Sequence, residues 1–415
     1  MRRIVMIAVF KNINLKKILS FLGPGFLVTV GFIDPGNWAT NIAGGSHFGY
    51  SLLWVITLST LILLVVQNMA AKIGIATGKS LASNIRDEFS KPVASFLGIT
   101  VILACVATDV AELVGGAIGF QLLCGLPLWA GALITVFLKI FLIVGQRYHR
   151  LERIIIEFLG IIALCYVAEI ILVKPDWHQV LPALVIPHVD QASIYAAMGI
   201  LGAVVMPHNI FLHSNVIHSR DWGIGDEKKL SLLKYEKIDT GIALFLGWIV
   251  NTAMIVVAAR VFHQNGILVD SIEYASQTLV PLAGPLASLL FAIALVFSGI
   301  GSSITSSMAE VNVITGFLGQ PEDPKTRLYQ IATFVTAIPS FAIIAWGVDT
   351  FKILIFSQVI LSIQLPFTLI PLLLLCRKKS IMGVFRSHTL EFVTAGLISA
   401  LIIGLNIYLL YSTLH

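Results

Sequence analysis

Residues 26–42 read FLVTVGFIDPGNWATNI, and residues 199–215 read GILGAVVMPHNIFLHSN. Both are apolar, both are interrupted near the middle by a proline, and both carry an asparagine two residues later: Pro35 with Asn37, Pro207 with Asn209. Proline has no N–H, so the carbonyl four residues upstream loses its helical partner. Pro35 releases the carbonyl of Gly31, and Pro207 that of Ala203. In hydrocarbon a bare carbonyl is costly unless something binds it. A single interrupted segment reads as a kinked membrane helix. Two at matching places in two halves point to a transporter's binding site.

The surrounding chain supplies the membrane. Of 415 residues 57% are hydrophobic and 12% charged, and the mean hydropathy is +0.92. A soluble domain carries more charge than that. A transmembrane helix needs roughly 20 mainly apolar residues. Eleven such stretches are expected near Phe21–Ala43, Tyr50–Ile73, Val93–Leu123, Leu126–Val144, Ile154–Val173, Ile194–Val216, Gly241–Phe262, Leu279–Phe317, Leu328–Trp346, Phe351–Leu375 and Leu390–Leu410. The eighth is long enough to be tilted or to project. The expected fold class is an all-α membrane protein forming one transporter domain over residues 1–415. Five spans separate the two interrupted segments. An odd offset makes the second unit enter from the opposite face, giving inverted repeats at about 20–175 and 193–376 and an extra helix at about 390–412. The polar connection His218–Asp239 is expected to be a loop with a short helix.

Lys and Arg set the orientation. One set of connections holds Arg2, Arg3, Lys11, Lys16 and Lys17, then Lys79, Arg86 and Lys91, then Arg147, Arg150 and Arg153. It continues with Lys228, Lys229, Lys234 and Lys237, with Lys325 and Arg327, and with Arg377, Lys378, Lys379 and Arg386. The opposite set holds little beyond Lys174 and Arg260. This places the amino terminus in the cytoplasm and the carboxyl terminus outside, and explains the net charge of +5 without nucleic acid. The opening MRRIVMIAVFKN is too short in its apolar part for a signal-peptide core. Cys105, Cys124, Cys165 and Cys376 lack CxxC spacing and are expected to be buried thiols.

The breaks present a ligand set. Asp34 offers a carboxylate at membrane depth, expensive unless functional. Asn37 offers an amide oxygen, Gly31 and Ala203 offer carbonyls, and Met206 a thioether. Mg²⁺ and Ca²⁺ take hard oxygens alone. A sulfur ligand favours Mn²⁺, Fe²⁺, Co²⁺ or Cd²⁺. Asp109 and Glu112 stand at i and i+3 in the third span, hence on one helix face. They should be protonatable, paired or water-lined. His208 adjoins the second break and can change charge in an acidic medium.

The segments DPGNWATNI and GAVVMPHN closely resemble the first- and sixth-helix signatures of the Nramp family of divalent-metal transporters. AAKIGIATGKSLA, TDVAELVGGAIG and SQVILSIQLPF resemble further Nramp segments, in order along most of the chain. The resemblance implies a LeuT-type fold with broken first and sixth helices, and proton-coupled uptake of Mn²⁺ or Fe²⁺ into the cell. It assigns the metal ligands to Asp34, Asn37, Met206 and the Ala203 carbonyl, with Gly31 and Gln358 joining in some states; Pro35, Gly36 and Pro207 mark the breaks. It assigns the proton route to His208, Asp109, Glu112, His213 and Arg220. It departs from the family at the ninth span. Many members carry an arginine there that partners the third-span carboxylates; this chain has Thr333, and its nearest arginine is Arg327 at the helix start.

Other classes fit less well. A relative moving Mg²⁺ would alter the binding motifs, and this chain keeps both Asn37 and Met206. A sodium–amino-acid symporter of the same fold would set Asp34 against a substrate carboxylate. A channel does not need a broken-helix repeat. An intramembrane enzyme would need a nucleophile–base pair or HExxH, and neither is present. No GxxxxGK[ST] loop appears, so uptake is not directly ATP-driven. His178 and His188 read as ordinary loop histidines. The expected partners are divalent metal ions, protons and the lipid bilayer of the cell membrane, with no resident cofactor and no obligate protein partner.

Overall fold

The computed structural model describes residues 15–414 apart from 147, 189–190, 324 and 347–348. Arg2, Arg3, Lys11 and Arg147 of the orientation argument lie outside the described residues. In chain order the helices are α1 Leu15–Phe21, α2 Pro24–Phe32, α3 Pro35–Phe48, α4 Leu53–Thr77, α5 Leu81–Glu88, α6 Lys91–Cys124 and α7 Leu128–Gly145. They continue with α8 Tyr148–Val173, α9 Trp177–Ala183, α10 Ile194–Val204, α11 Pro207–Val216, α12 Asp226–Val261, α13 Ile272–Ala283 and α14 Pro285–Leu318. The last are α15 Arg327–Val335, α16 Ala337–Ala345, α17 Thr350–Arg377, α18 Lys379–Met382 and α19 Thr389–Leu414. Among the described residues ten helical segments are long and apolar enough to cross a membrane, and the pair α1–α2, bent by 49°, makes up to eleven. The all-helical membrane class expected from the sequence is therefore what forms.

Three boundaries differ from expectation. The connection His218–Asp239 is mostly helix, because α12 starts at Asp226. Leu232, Tyr235, Glu236 and Asp239 recur at helical spacing on its buried face, and Asp226 and Glu227 in the first turn suit the positive end of the helix dipole. The eighth span starts at Pro285, not near Leu279. Gly284 at φ 91 stops α13, and Pro285 begins a new helix. The ninth span is two helices parted at Thr336. Pro339 explains the parting, since it cannot donate to the Val335 carbonyl. One thiol also differs: Cys124 is exposed at the end of α6, while Cys105, Cys165 and Cys376 are buried.

Packing brings the two breaks together. α10 lies against α3, and α11 against α2, so each half-helix meets the opposite half of the other broken span. The window Ile194–Ser219 is 78% buried, against 28% for α7 and 22% for α19. The broken spans are thus the centre, and α7 and α19 face lipid with side chains such as Phe137 and Leu397. α6 and α14 pack closely beside them; a Cβ on Gly299 would stand 2.7 Å from the Gly116 backbone.

The basic connections converge on one end. Lys79 pairs with Asp87 at 2.7 Å and Lys378 with Glu88 at 2.5 Å. Ser80 bonds Glu322 at 2.7 Å, and Lys229 bonds the Ile75 carbonyl at 3.1 Å. The connections assigned to one face by their charge therefore share one face.

Candidate metal centre

Asp34 sits between α2 and α3 with extended backbone, φ −88 and ψ 163, and caps α3. Its Oδ1 accepts from the Asn37 amide at 3.0 Å and its Oδ2 from the Gly36 amide at 3.1 Å. The same Oδ2 accepts from Gln358 Nε2 at 3.2 Å, which brings α17 to the break. The helix N-terminus favours the negative charge. Gly36 is required for this approach, since a Cβ there would lie 1.8 Å from Gln358 Nε2. Gln358 Oε1 has no partner among the described residues and is free to face a cation.

The carbonyls of the first break divide into engaged and free. Asn37 Nδ2 donates to the Phe32 carbonyl at 2.6 Å, and Ser298 Oγ donates to that of Ile33. Among the described residues no bond reaches the carbonyl of Gly31, whose helical partner would be Pro35. In the second break Val205 closes α10 by donating to Leu201 at 2.9 Å. The Ala203 carbonyl is left to Pro207, which has no N–H to give. Asn209 links the breaks: its side chain lies 2.6 Å from where a Gly31 Cβ would stand, and its Nδ2 reaches Met206 Sδ at 3.5 Å. Gly31, Asp34, Asn37, Ala203, Met206 and Gln358 are all buried. Asn37 is held firmly by Asn251 and Asn41. Its Oδ1 takes one bond, from Asn41 at 3.0 Å, and keeps a second lone pair.

The expected proton-route residues fall into separate groups. His208 is fully buried, and neither ring nitrogen has a partner among the described residues. His213 lies between Gln67 at 2.9 Å and Glu236 at 2.7 Å. Arg220 is at the basic end, 2.7 Å from both Glu152 and the Leu22 carbonyl. Asp109 and Glu112 lie on α6, away from those two clusters. In place of the ninth-span arginine that this chain lacks, another cation reaches Asp109. Lys139 of α7 is 3.3 Å from Asp109 Oδ2, and both are fully buried. Ser306 donates to Asp109 Oδ1 at 3.1 Å. Thr333 is turned inward on its own helix, donating to the Tyr329 carbonyl.

Sequence reasoning passed over Lys139, Glu236, Glu310 and Ser298. Lys139 was readable as the one charge in LWAGALITVFLKIFLIVG, and Glu310 as a lone acid in the eighth span. Ser298 had no signal. His178 and His188 line a hollow of ≈ 520 Å³ with His263 at the other end of the molecule. Among the described residues no three His, Cys, Asp or Glu come together to hold a metal, and His178, read from the sequence as a loop residue, stands in the first turn of α9.

The Nramp model, natural resistance-associated macrophage protein-like, matches residues 25–412. A divalent metal cation transporter, MntH, of Caldanaerobacter subterraneus subsp. tengcongensis is 41% identical over 408 residues, covering 98% of this chain and 96% of the relative. The structure of a manganese transporter from Eremococcus coleocola superposes with TM-score 0.80 at 30% identity, covering 95% of this chain and 86% of that one. Mhp1, a nucleobase-cation-symport-1 family transporter with the LeuT fold, superposes with TM-score 0.64 at 14% identity over 94% of this chain and 93% of its own, a likeness of fold alone. With the family model covering nearly the whole chain and the broken helices in place, this chain belongs to the Nramp family.

Proposed function

We propose that this chain is a secondary importer of divalent transition-metal ions across the cell membrane, with Mn²⁺ and Fe²⁺ as main substrates and Co²⁺ and Cd²⁺ accepted, driven by proton symport. The two related metal transporters described above support the metal. The observation that carries the reading is the pairing of two proline breaks around one buried carboxylate. Asp34 supplies charge, Gly31 and Ala203 supply carbonyls without helical partners, and Met206 supplies sulfur. Asn37 and Gln358 add amide oxygens. That set satisfies a transition-metal ion better than Ca²⁺ or Mg²⁺.

The inverted repeats at about 20–175 and 193–376 give a mechanism of alternating access around a fixed midplane site. The basic end is cytoplasmic by its charge, with the amino terminus inside and the carboxyl terminus outside. His208, beside the second break, and the Asp109–Glu112 group on α6 provide the proton route, with His213 and Arg220 toward the basic end. Purified protein in liposomes loaded with a pH dye tests both halves: Mn²⁺ influx should acidify the interior and rise as external pH falls. Steady influx without acidification at several pH values would leave a metal uniporter on the same scaffold.

A further inference from the structure

Lys139 has no place in the function argued so far. It is fully buried near the middle of a lipid-facing helix. Burying an ammonium is expensive unless it is paired, and among the described residues the carboxylate it pairs with is Asp109. Two more acids surround the pair. Glu112 on α6 and Glu310 on α14 are fully buried, and among the described residues neither has a hydrogen bond of normal geometry, although Ser306 stands near Glu112, and Thr336 and Asp109 stand near Glu310. The Cys105 thiol also lies near these acids. α16 carries no ionisable residue, Arg327 of α15 is exposed, and Tyr329 has Glu322 and Asp323 as its charged neighbours.

Charge balance then assigns the roles. A carboxylate without donors in a dry interior is costly, whereas a neutral acid is not. With Glu112 and Glu310 neutral and Asp109 paired to Lys139, the cluster carries no net charge. We propose that Lys139 is the positioning cation of the proton route, keeping Asp109 as the single ionised carboxylate among three and so as the group able to receive a proton leaving the metal site. The proton adds to Asp109 Oδ2 and frees the ammonium. Its onward loss toward the basic end restores the pair. Without the ammonium all three acids rest neutral, and the route has no empty place. This rests on the proton-coupled reading above.

The test uses the full chain in liposomes, recording Mn²⁺ uptake and internal pH, with Mn²⁺ affinity from calorimetry. Lys139→Met is expected to keep Mn²⁺ affinity within about threefold, since Lys139 is on no element that carries a ligand. Acidification per Mn²⁺ should fall at least about tenfold, and the pH dependence of uptake should flatten. Lys139→Arg should retain both. If Lys139→Met strands Asp109 and misfolds, the pair Lys139→Met with Asp109→Asn removes both charges and should show the same uncoupling. Undiminished acidification in Lys139→Met, or in the double variant, overturns the proposal, as does equal loss of affinity and coupling. Wild-type Mn²⁺ uptake without acidification overturns the coupling reading itself. The wild-type trace therefore tells the two failures apart.

Discussion

Each candidate ligand makes a separable contribution. Asp34 brings the only negative charge to the breaks, and two amides with Gln358 already orient it. Asp34→Asn keeps the shape and removes the charge. Mn²⁺ affinity by calorimetry should fall at least about 100-fold, ~2.8 kcal/mol at ~1.4 kcal/mol per tenfold; undiminished binding would eliminate the site as drawn. Met206 acts through selectivity. Its sulfur holds a weak contact to Asn209 at 3.5 Å, and a thioether favours softer ions without being essential for Mn²⁺. Met206→Ala should retain part of Mn²⁺ uptake while Ca²⁺ competes better; unchanged Ca²⁺ competition would reduce the sulfur to packing. Asp34, Asn37 and Met206 were legible because each interrupts an apolar run beside a proline. Lys139 was no less visible in LITVFLKIF. Its partner was not, since pairing with Asp109 depends on how α6 and α7 pack, and residues 30 positions apart give no periodic signal.

At the level of elements, close backbone approach fixes where α10 meets α17. A Cβ on Gly202 would stand 2.3 Å from the Gln358 carbonyl oxygen, and backbone cannot rotate away. Gly202→Ala should destabilise the protein by ~1–3 kcal/mol and abolish uptake by moving Gln358 off Asp34. Thermal unfolding in detergent, read beside transport, checks it; full uptake would show the helices free to slide. The loop after α14 makes a different tie. Glu322 accepts from Ser80 and Ser83 of the α5 region and from Asn215 of α11. Burial pushes its carboxyl up from the usual 4.5. A raised folded value gives stability that is present below the unfolded value and is lost as pH rises through the folded one. Glu322→Gln removes this contribution, so its unfolding temperature should fall less than that of wild type as pH rises above 4.5; parallel curves would contradict it. The spans themselves were legible from apolar length. Their ends were not, because α12 runs on through DEKKLSLLKYEKID on a buried face that only tertiary packing supplies. The ninth span likewise divides at Thr336, three residues ahead of Pro339 and next to the Val335 carbonyl that Pro339 leaves without a donor.

Across the whole molecule, the basic end is sealed by one lock. Arg220 joins Glu152 of α8 to the Phe21 and Leu22 carbonyls between α1 and α2. Asp239 of α12 accepts from the Gly23 and Gly25 amides at 2.9 and 2.6 Å. The first broken span is thereby clamped at its start, and every candidate ligand is buried. For the site to open toward this end, α1–α2 must part from α8 and α12. Removing one member of a buried ion pair costs ~3–5 kcal/mol in the state that holds the pair. A population balanced within a few kcal/mol is shifted by that much. Arg220→Gln should therefore favour the state open at the basic end. Thr29 lies in α2 and is fully buried here, so it can report the opening. With Cys105, Cys124, Cys165 and Cys376 replaced by serine, Thr29→Cys should react with an impermeant maleimide supplied from the basic side. Adding Arg220→Gln should raise that rate severalfold, and bound Mn²⁺ should lower it in the Thr29→Cys background that keeps Arg220. An unchanged rate in the Arg220 variant would mean that Asp239 and the glycine amides hold the gate without the ion pair. Asp239→Asn would then be the variant to open it.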